Sequence, residues 1–367
     1  MNDYIEKFLS NCKKPFSEAK LAPQEIYTKP EFFEMEKSKV FLKDWFMVGR
    51  TGEFTDAGDY LAMNIIDHPV VIIKQDNGEL RAFANVCLHR CSKLLDGKGN
   101  KKRITCPYHA WSYDINGQLI GVPYEDQMQN FSREGKQLHE ILCETWHGFV
   151  FVSINPDAVP LQERLQNFEK EIEDFKLDNF EDLYFEEYEF NCNWKILMEN
   201  FNESYHLFQT HKNSAESGTP TKLVQTGSGD GLSYVVHYTP YAAGYEVPVY
   251  NSNVSDINRG RAVVAGALPN GLMAIQADTL WWMVLQPVDV NHVKVRWGTS
   301  FSPETIAAGN DTREVHEWIR QVNDEDKVSI EAVQQGANFQ IDDIGMFHPL
   351  EAQVFQFQCY IANKVKQ

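Results

Sequence analysis

Positive charge is scarce in this 367-residue chain: 34 Lys and Arg stand against 52 Asp and Glu, a net charge of −18. That balance argues against nucleic acid and anionic membranes as partners. Long apolar runs are also missing. None approaches the about eighteen residues that a membrane-spanning helix needs. Met1–Cys12 carries Asp3, Glu6 and Lys7 and has no apolar core of signal-peptide length, so no leader is expected. Cysteine is sparse, odd in number and scattered, with seven in all. Reduced thiols in the cytoplasm are expected from such a set, not a disulfide framework. No internal repeat or low-complexity tract appears, and no motif resembling a flavin or nicotinamide site. What is present is an ordinary globular composition, 43% apolar, in a chain long enough for two domains and a sizeable core.

Two short phrases carry metal-binding chemistry: Cys87-Leu88-His89 and Cys106-Pro107-Tyr108-His109, with sixteen residues between them. Each offers one thiolate and one imidazole. Such a set suits a [2Fe-2S] cluster in which imidazoles replace thiolates on one iron. A structural zinc site is the rival, but zinc sites usually pair Cys with Cys and His with His. Here each phrase mixes the types, as two loops approaching a cluster from opposite sides require. Ala82–Val86 alternates like a strand running into the first phrase. Trp111–Ile115 leaves the second towards Asn116-Gly117, a strong hairpin turn.

The segments Asn85-Val86-Cys87-Leu88-His89-Arg90 and Cys106-Pro107-Tyr108-His109-Ala110-Trp111 resemble the Rieske domain of Rieske non-haem iron oxygenases. One departure is visible. The family usually has Gly after the His-Arg pair, and this chain has Cys91. Rieske proteins of respiratory complexes carry an extra Cys on each loop, paired as a disulfide, but Tyr108 stands where the second would be. Cys91 is therefore read as a small buried residue. The missing disulfide points to an oxygenase-type, low-potential cluster.

A second constellation lies about a hundred residues downstream: Asn193-Trp194-Lys195, then Glu199-Asn200, Glu203, His206 and His211. Lys195–Leu207 contains no Gly or Pro and reads as a helix, with Asn200, Glu203 and His206 on one face. His211 would point away on a straight helix, so the helix is expected to break between the two His if both hold one metal. Taken alone, the two His read first as a pair of unrelated polar residues at a helix end. The resemblance to the same family's mononuclear iron motif turns the choice: it implies that His206 and His211 bind Fe(II) together with one carboxylate, leaving positions for O2. The family's C-terminal helix places an acid eight residues before a Gln, which here selects Asp326 before Gln334. Asp324 and Glu325 are assigned to a solvated acidic run.

The resemblance also assigns Glu203 and Asn200 to the catalytic machinery. The family usually has Asp at the position of Glu203. That acid bridges a cluster His of one subunit to an iron His of its neighbour, here His109 and His206. Glu at this place resembles the subset acting on quaternary ammonium compounds. The implied protein is the alpha, or terminal oxygenase, subunit of a multicomponent mono- or dioxygenase of the aromatic-ring-hydroxylating type. It would take electrons from a separate NAD(P)H-dependent reductase, with or without a ferredoxin, use O2 on a small aromatic compound or quaternary amine, and assemble as a homotrimer. A Rieske-type electron carrier with a non-catalytic ligand-binding domain is the alternative.

The expected fold is α+β. A small all-β Rieske domain over 41–155 follows a helical N-terminal stretch. Residues 1–40 and 156–367 form a catalytic domain of strands followed by packed helices, in which the resemblance implies an antiparallel sheet wrapped around a helix, of the helix-grip type. A helix is predicted over 161–178 and strands over 184–191, 232–238, 272–277, 279–286 and 293–301. A second helix over 312–336 returns Asp326 to the site. Two long loops, 213–231 and 238–260, are candidate lids. Tyr238, Tyr241, Tyr245, Trp281 and Trp282 are candidate pocket residues, one of the two Trp being plain core by alternation.

Overall fold

The computed structural model describes residues 2–245, 247, 251–339, 341 and 345–366. The chain divides into two compact units, Leu42–Ala158 and a second made of Met1–Phe41 with Val159–Gln367.

The first unit is all-β. Its strands are β1 Phe46–Arg50, β2 Asp59–Ile65, β3 His68–Lys74, β4 Leu80–Ala84, β5 Gly97–Asn100, β6 Arg103–Thr105, β7 Ser112–Asp114, β8 Leu119–Gly121, β9 Glu140–Trp146 and β10 Phe149–Ser153. Seven of them form an antiparallel sheet in the order β1-β10-β9-β4-β3-β2-β5, and β6-β7-β8 form a small second sheet. Val71, Ile73, Phe83, Ile104 and Tyr113 are buried together with Cys87 and Cys106, so the two thiols sit on the edge of the core. Gly117, at φ +82°, makes the turn between β7 and β8 that the Asn-Gly pair predicts.

The second unit is built on a seven-stranded antiparallel sheet. Its strands are β11 Glu181–Phe190, β12 Gln225–Thr226, β13 Tyr234–Pro240, β14 Arg261–Ala267, β15 Gly271–Ile275, β16 Thr279–Asp289 and β17 His292–Phe301. They are ordered β11-β17-β16-β15-β14-β13-β12. β14 was not foreseen. Its Ala and Gly content, Arg-Ala-Val-Val-Ala-Gly-Ala, lacks the alternation that marks a half-buried strand. The helix Ala352–Lys366 was not foreseen either. On the predicted 161–178 stretch the regular helix is Leu161–Ile172, followed by short 3-10 turns.

Helices Trp194–Phe201 and Thr312–Ala337 pack together, and the first also packs on β14 and β16. The chain's first forty residues brace that helix. Lys195 pairs with Glu36 at 2.8 Å, both side chains almost wholly buried. Tyr27 donates its hydroxyl to Glu199 at 2.8 Å. Burial is the largest cause shifting both members of the Lys195–Glu36 pair towards neutrality, Lys195 down and Glu36 up. Burial also pushes Glu199 up to about 7. Removing one partner of such a buried pair costs about 3–5 kcal/mol. No helix among the described residues is long and apolar enough to cross a membrane.

Candidate functional site

In the β unit, the two metal-binding phrases fold into loops of one shape. The Cys91 N–H donates to the Cys87 carbonyl, and the Ala110 N–H donates to the Cys106 carbonyl. Cys91 and Ala110 close their loops at φ +56° and +58°. A left-handed residue at this point explains why Gly is favoured there. Cys91 is not buried as expected; it is exposed. Its place is set by the turn and not by packing.

The Cys87 and Cys106 thiols face each other, and both are buried. The His89 and His109 rings lie 4.6 Å apart on the exposed side. Burial raises the Cys87 thiol pKa, opposed by the Tyr113 hydroxyl 3.2 Å away and the His89 N–H. For Cys106, burial also raises, but the N–H groups of Tyr108 and His109 and the Cys87 thiol outweigh it, holding the pKa below the usual value. Two adjacent sulfurs with N–H donors aimed at them, and two imidazoles at solvent, fit a cluster with one sulfur-bound and one imidazole-bound iron.

In the second unit the polypeptide breaks earlier than expected. Helix Trp194–Phe201 ends before Glu203, and a new turn, Leu207–Thr210, begins at His206 and ends at His211. The break therefore precedes both His, and Asn200, Glu203 and His206 do not share one helical face. Side chains cause it. The Asn202 amide donates to the Met198 carbonyl at 2.7 Å. A Glu203 oxygen accepts the N–H groups of Tyr205 and His206. Both compete with helix propagation. Asn202 also needs Gly266 of β14 beneath it, because a Cβ there would lie 2.8 Å from its amide nitrogen.

The break aims both imidazoles at Asp326. One nitrogen of His206, one of His211 and an oxygen of Asp326 all lie within 4.8 Å of one another. His211 Nε2 is 3.0 Å and His206 Nε2 3.5 Å from Asp326 Oδ1. The Asn200 amide donates to that oxygen at 3.1 Å. The outward nitrogens are held as well: His206 Nδ1 lies 2.6 Å from Glu203, and His211 Nδ1 2.8 Å from Glu325. Each acid accepts the Nδ1 proton and leaves the Nε2 lone pair facing inwards. Glu325 is thus not part of a solvated acidic run. It also accepts the Ser214 hydroxyl at 2.6 Å. The signal was its place beside Asp326, but only the fold shows that His211 lies across from it. Burial lowers the pKa of His206 and His211, yet Glu203 for the first and Asp326 with Glu325 for the second raise both above the usual value. Three carboxylates around two imidazoles leave negative charge that a divalent cation would balance, and two nitrogens plus one oxygen are the donors non-haem Fe(II) takes.

A cavity of about 110 Å³ opens on these residues. Its floor is one face of the sheet: Thr239, Ala262, Val264, Ala274 and Trp281, contributed by strands whose register pairs Thr239 with Ala262, Val264 with Ala274 and Ala274 with Trp281. Trp282 faces the other way and is buried. Trp318, Val322 and Asp326 close the cavity at four-residue spacing on one helix face. Trp318 was not anticipated, although that spacing was legible. Tyr238 does not line the cavity; its ring stacks on Arg261 and its hydroxyl donates to Glu171. Tyr241 and Tyr245 line a separate, adjoining cavity. Of the 238–260 loop, residues 246 and 248–250 lie outside the described residues.

The family model for the ring hydroxylating alpha subunit (catalytic domain) matches residues 177–367, and that for the Rieske [2Fe-2S] domain matches 44–132. The chain belongs to the ring hydroxylating alpha subunit family. Its cofactors are a Rieske [2Fe-2S] cluster and a mononuclear iron. It is 34% identical over 218 residues to the carnitine monooxygenase oxygenase subunit of Escherichia coli K12, a match covering 56% of each protein. The chain thus spans about half the length of the curated relatives it matches. The quaternary ammonium Rieske monooxygenase CntA, solved with L-carnitine, superposes with a TM-score of 0.80 at 25% identity, covering 96% of this chain and 97% of that one. Naphthalene 1,2-dioxygenase from Rhodococcus sp. shares the fold with a TM-score of 0.81 at 18% identity, covering 99% and 97%.

Proposed function

We propose that the protein is the terminal oxygenase component of a multicomponent Rieske oxygenase. It hydroxylates or dealkylates a small molecule with O2, using electrons from a separate NAD(P)H-dependent reductase, directly or through a ferredoxin. The observation that carries this is the convergence of His206, His211 and Asp326 at a cavity in a chain that also holds the Cys87, His89, Cys106 and His109 loops. The bound [2Fe-2S] cluster supplies one-electron transfer, and the bound ferrous ion supplies O2 activation.

The chain's own residues do the positioning. Cys87, Cys106, His89 and His109 hold the cluster; His206, His211 and Asp326 hold the iron. Glu203 and Glu325 fix the imidazole tautomers, and Asn200 orients Asp326. Phe201, Leu207, Val264 and Trp281 exclude water from the atom to be oxidised. Glu203, already on His206, is also the bridge to His109 of the partner subunit. The exposure of the His109 ring supports that role. A head-to-tail contact of this kind closes into a ring, and the family resemblance implies that the ring is a homotrimer.

The alternative, an electron carrier with a non-catalytic ligand-binding domain, leaves the triad and its two supporting acids without a purpose. The test is a substrate screen of the protein reconstituted with a reductase, comparing aromatic acids with carnitine-like and betaine-like amines, with products read by mass. Substrate-dependent oxygen incorporation is expected. Electron uptake with no product from any class, in protein carrying both metals, would favour the carrier.

A further inference from the structure

Apart from Cys87 and Cys106, the cysteines take no part in either metal site, and they are not equivalent. Cys91 is exposed in its left-handed turn. Burial pushes the thiols of Cys143 and Cys192 up to about 12, so both stay protonated and unreactive at neutral pH. The other two, Cys12 and Cys359, are 347 positions apart in the chain and meet in the fold.

Cys12 caps the C-terminal end of helix Asp3–Asn11, and its N–H donates to the Phe8 carbonyl at 3.2 Å. Cys359 lies in helix Ala352–Lys366, and the two helices pack on each other. Both residues are partly exposed, so a small oxidant reaches them. Protonated, the Cys359 thiol donates to the Cys12 carbonyl at 3.5 Å. Ionised, its sulfur accepts the Cys12 S–H. That hydrogen bond holds the Cys359 thiol below its usual pKa against the opposing effect of burial, and it raises Cys12. One thiol is thus readied to attack while the other stands beside it, able to resolve the product. Among the described residues no His, Asp, Glu or third Cys joins the pair in a metal-binding group.

The pair sits next to the brace of the iron helix. Gln358, the neighbour of Cys359, donates its amide to Glu199 at 3.0 Å and to the Tyr27 hydroxyl at 3.2 Å. A bond between the two sulfurs would fasten the first helix of the chain to the last. It would also close a loop of nearly the whole chain, where a cross-link most restricts the unfolded ensemble.

We infer that Cys12 and Cys359 are a redox modification site outside both metal centres, forming a reversible disulfide that staples the N-terminal helix to the C-terminal one. The oxidant is a small-molecule disulfide. The Cys359 thiolate attacks one of its sulfurs; that S–S bond breaks, a mixed disulfide forms and one small thiolate leaves. The Cys12 sulfur then attacks Cys359, the protein S–S bond forms and the second small thiolate leaves. Each leaving thiolate takes up a proton given up by a protein thiol. Two electrons pass from the protein to the small disulfide, and excess small thiol runs the exchange backwards. This goes beyond the oxygenase proposal and does not depend on it.

The test is peptide mapping of the holoprotein after incubation with oxidised glutathione. Remaining thiols are blocked with iodoacetamide, and trypsin is used without reduction. The wild type is expected to give peptide 8–13 linked to peptide 328–364, a species lost on treatment with dithiothreitol. Cys12→Ser should leave glutathione on Cys359, whereas Cys359→Ser should leave Cys12 alkylated, because Cys12 is not the attacking thiol. The thermal midpoint of the wild type should be higher in oxidised than in reduced glutathione, and that of Cys12→Ser equal in the two. Cys12 and Cys359 both alkylated in the oxidised wild type overturns the inference, a result that needs no variant. So does a glutathione adduct that persists on wild-type Cys359 beside an alkylated Cys12. A linked peptide with no change in midpoint would overturn the stapling.

Discussion

The two candidate metal sites are built in opposite ways. The cluster site is made of two loops of the same form, each contributing one Cys and one His within four residues and closing on its own hydrogen bond. The triad is made of a broken helix and a residue 115 positions further along the chain. Local construction leaves a legible motif, because spacing alone sets the geometry. Long-range construction does not, because the fold decides which acid faces which imidazole. The supporting groups follow suit. The cluster sulfurs accept mostly from backbone N–H groups of the loops themselves, whereas the imidazoles of the triad donate to side chains, Glu203 and Glu325, from distant parts of the chain.

That contrast can be broken by mutation, and the largest effect is expected at Glu203. Glu203→Gln keeps both metals but lowers coupled turnover by at least about a hundredfold, since the amide no longer draws the Nδ1 proton of His206 as a carboxylate does. Turnover with substrate and reductase, alongside iron content, measures this; normal turnover would remove the bridging role.

Glu325→Gln is expected to act on metal affinity. Losing the carboxylate behind His211 should weaken iron retention about 10–100-fold, read by chelator competition, with the cluster's visible spectrum unchanged. Iron held as tightly as in wild type would make Glu325 a bystander.

Asp278 provides a stability counterpart. The folded state keeps this proton up to about pH 6, against an ordinary value of 3.8 in the unfolded chain. Protonation between those values favours folding, and ionisation above pH 6 opposes it. Asp278→Asn is therefore expected to be more stable than wild type at pH 7.5, by about 1–3 kcal/mol, with the advantage disappearing near pH 4. Denaturation at the two pH values decides; a constant difference would show that Asp278 is not held away from its ordinary ionisation.

The smallest effect belongs to Cys91. Cys91→Gly should leave the cluster spectrum intact and add about 1 kcal/mol of stability by relieving the left-handed backbone. Bleaching would show that this thiol serves the cluster.

Much of the fold was legible because its strands alternate or run apolar. β11, β16 and β17 were found, as was the long helix over Thr312–Ala337. β14 was hidden because its Ala and Gly residues are small for the sake of what lies over them: Asn202 above Gly266, and the cavity above Ala262 and Val264. A strand selected for clearance carries no hydrophobic pattern. The break before His206 was displaced in the reading because Asn202 and Glu203 act through side-chain hydrogen bonds, and neither is a helix breaker by composition. Trp281 and Trp282 behaved as a strand requires, one towards the cavity and one into the core.

The most direct measurement is iron and acid-labile sulfide per chain in the wild type and in His211→Ala. About three irons and two sulfides are expected in the wild type, and about two irons with sulfide unchanged in the variant. Zinc in place of iron and sulfide, or two irons in both proteins, would contradict a chain that carries a cluster and a separate ferrous site.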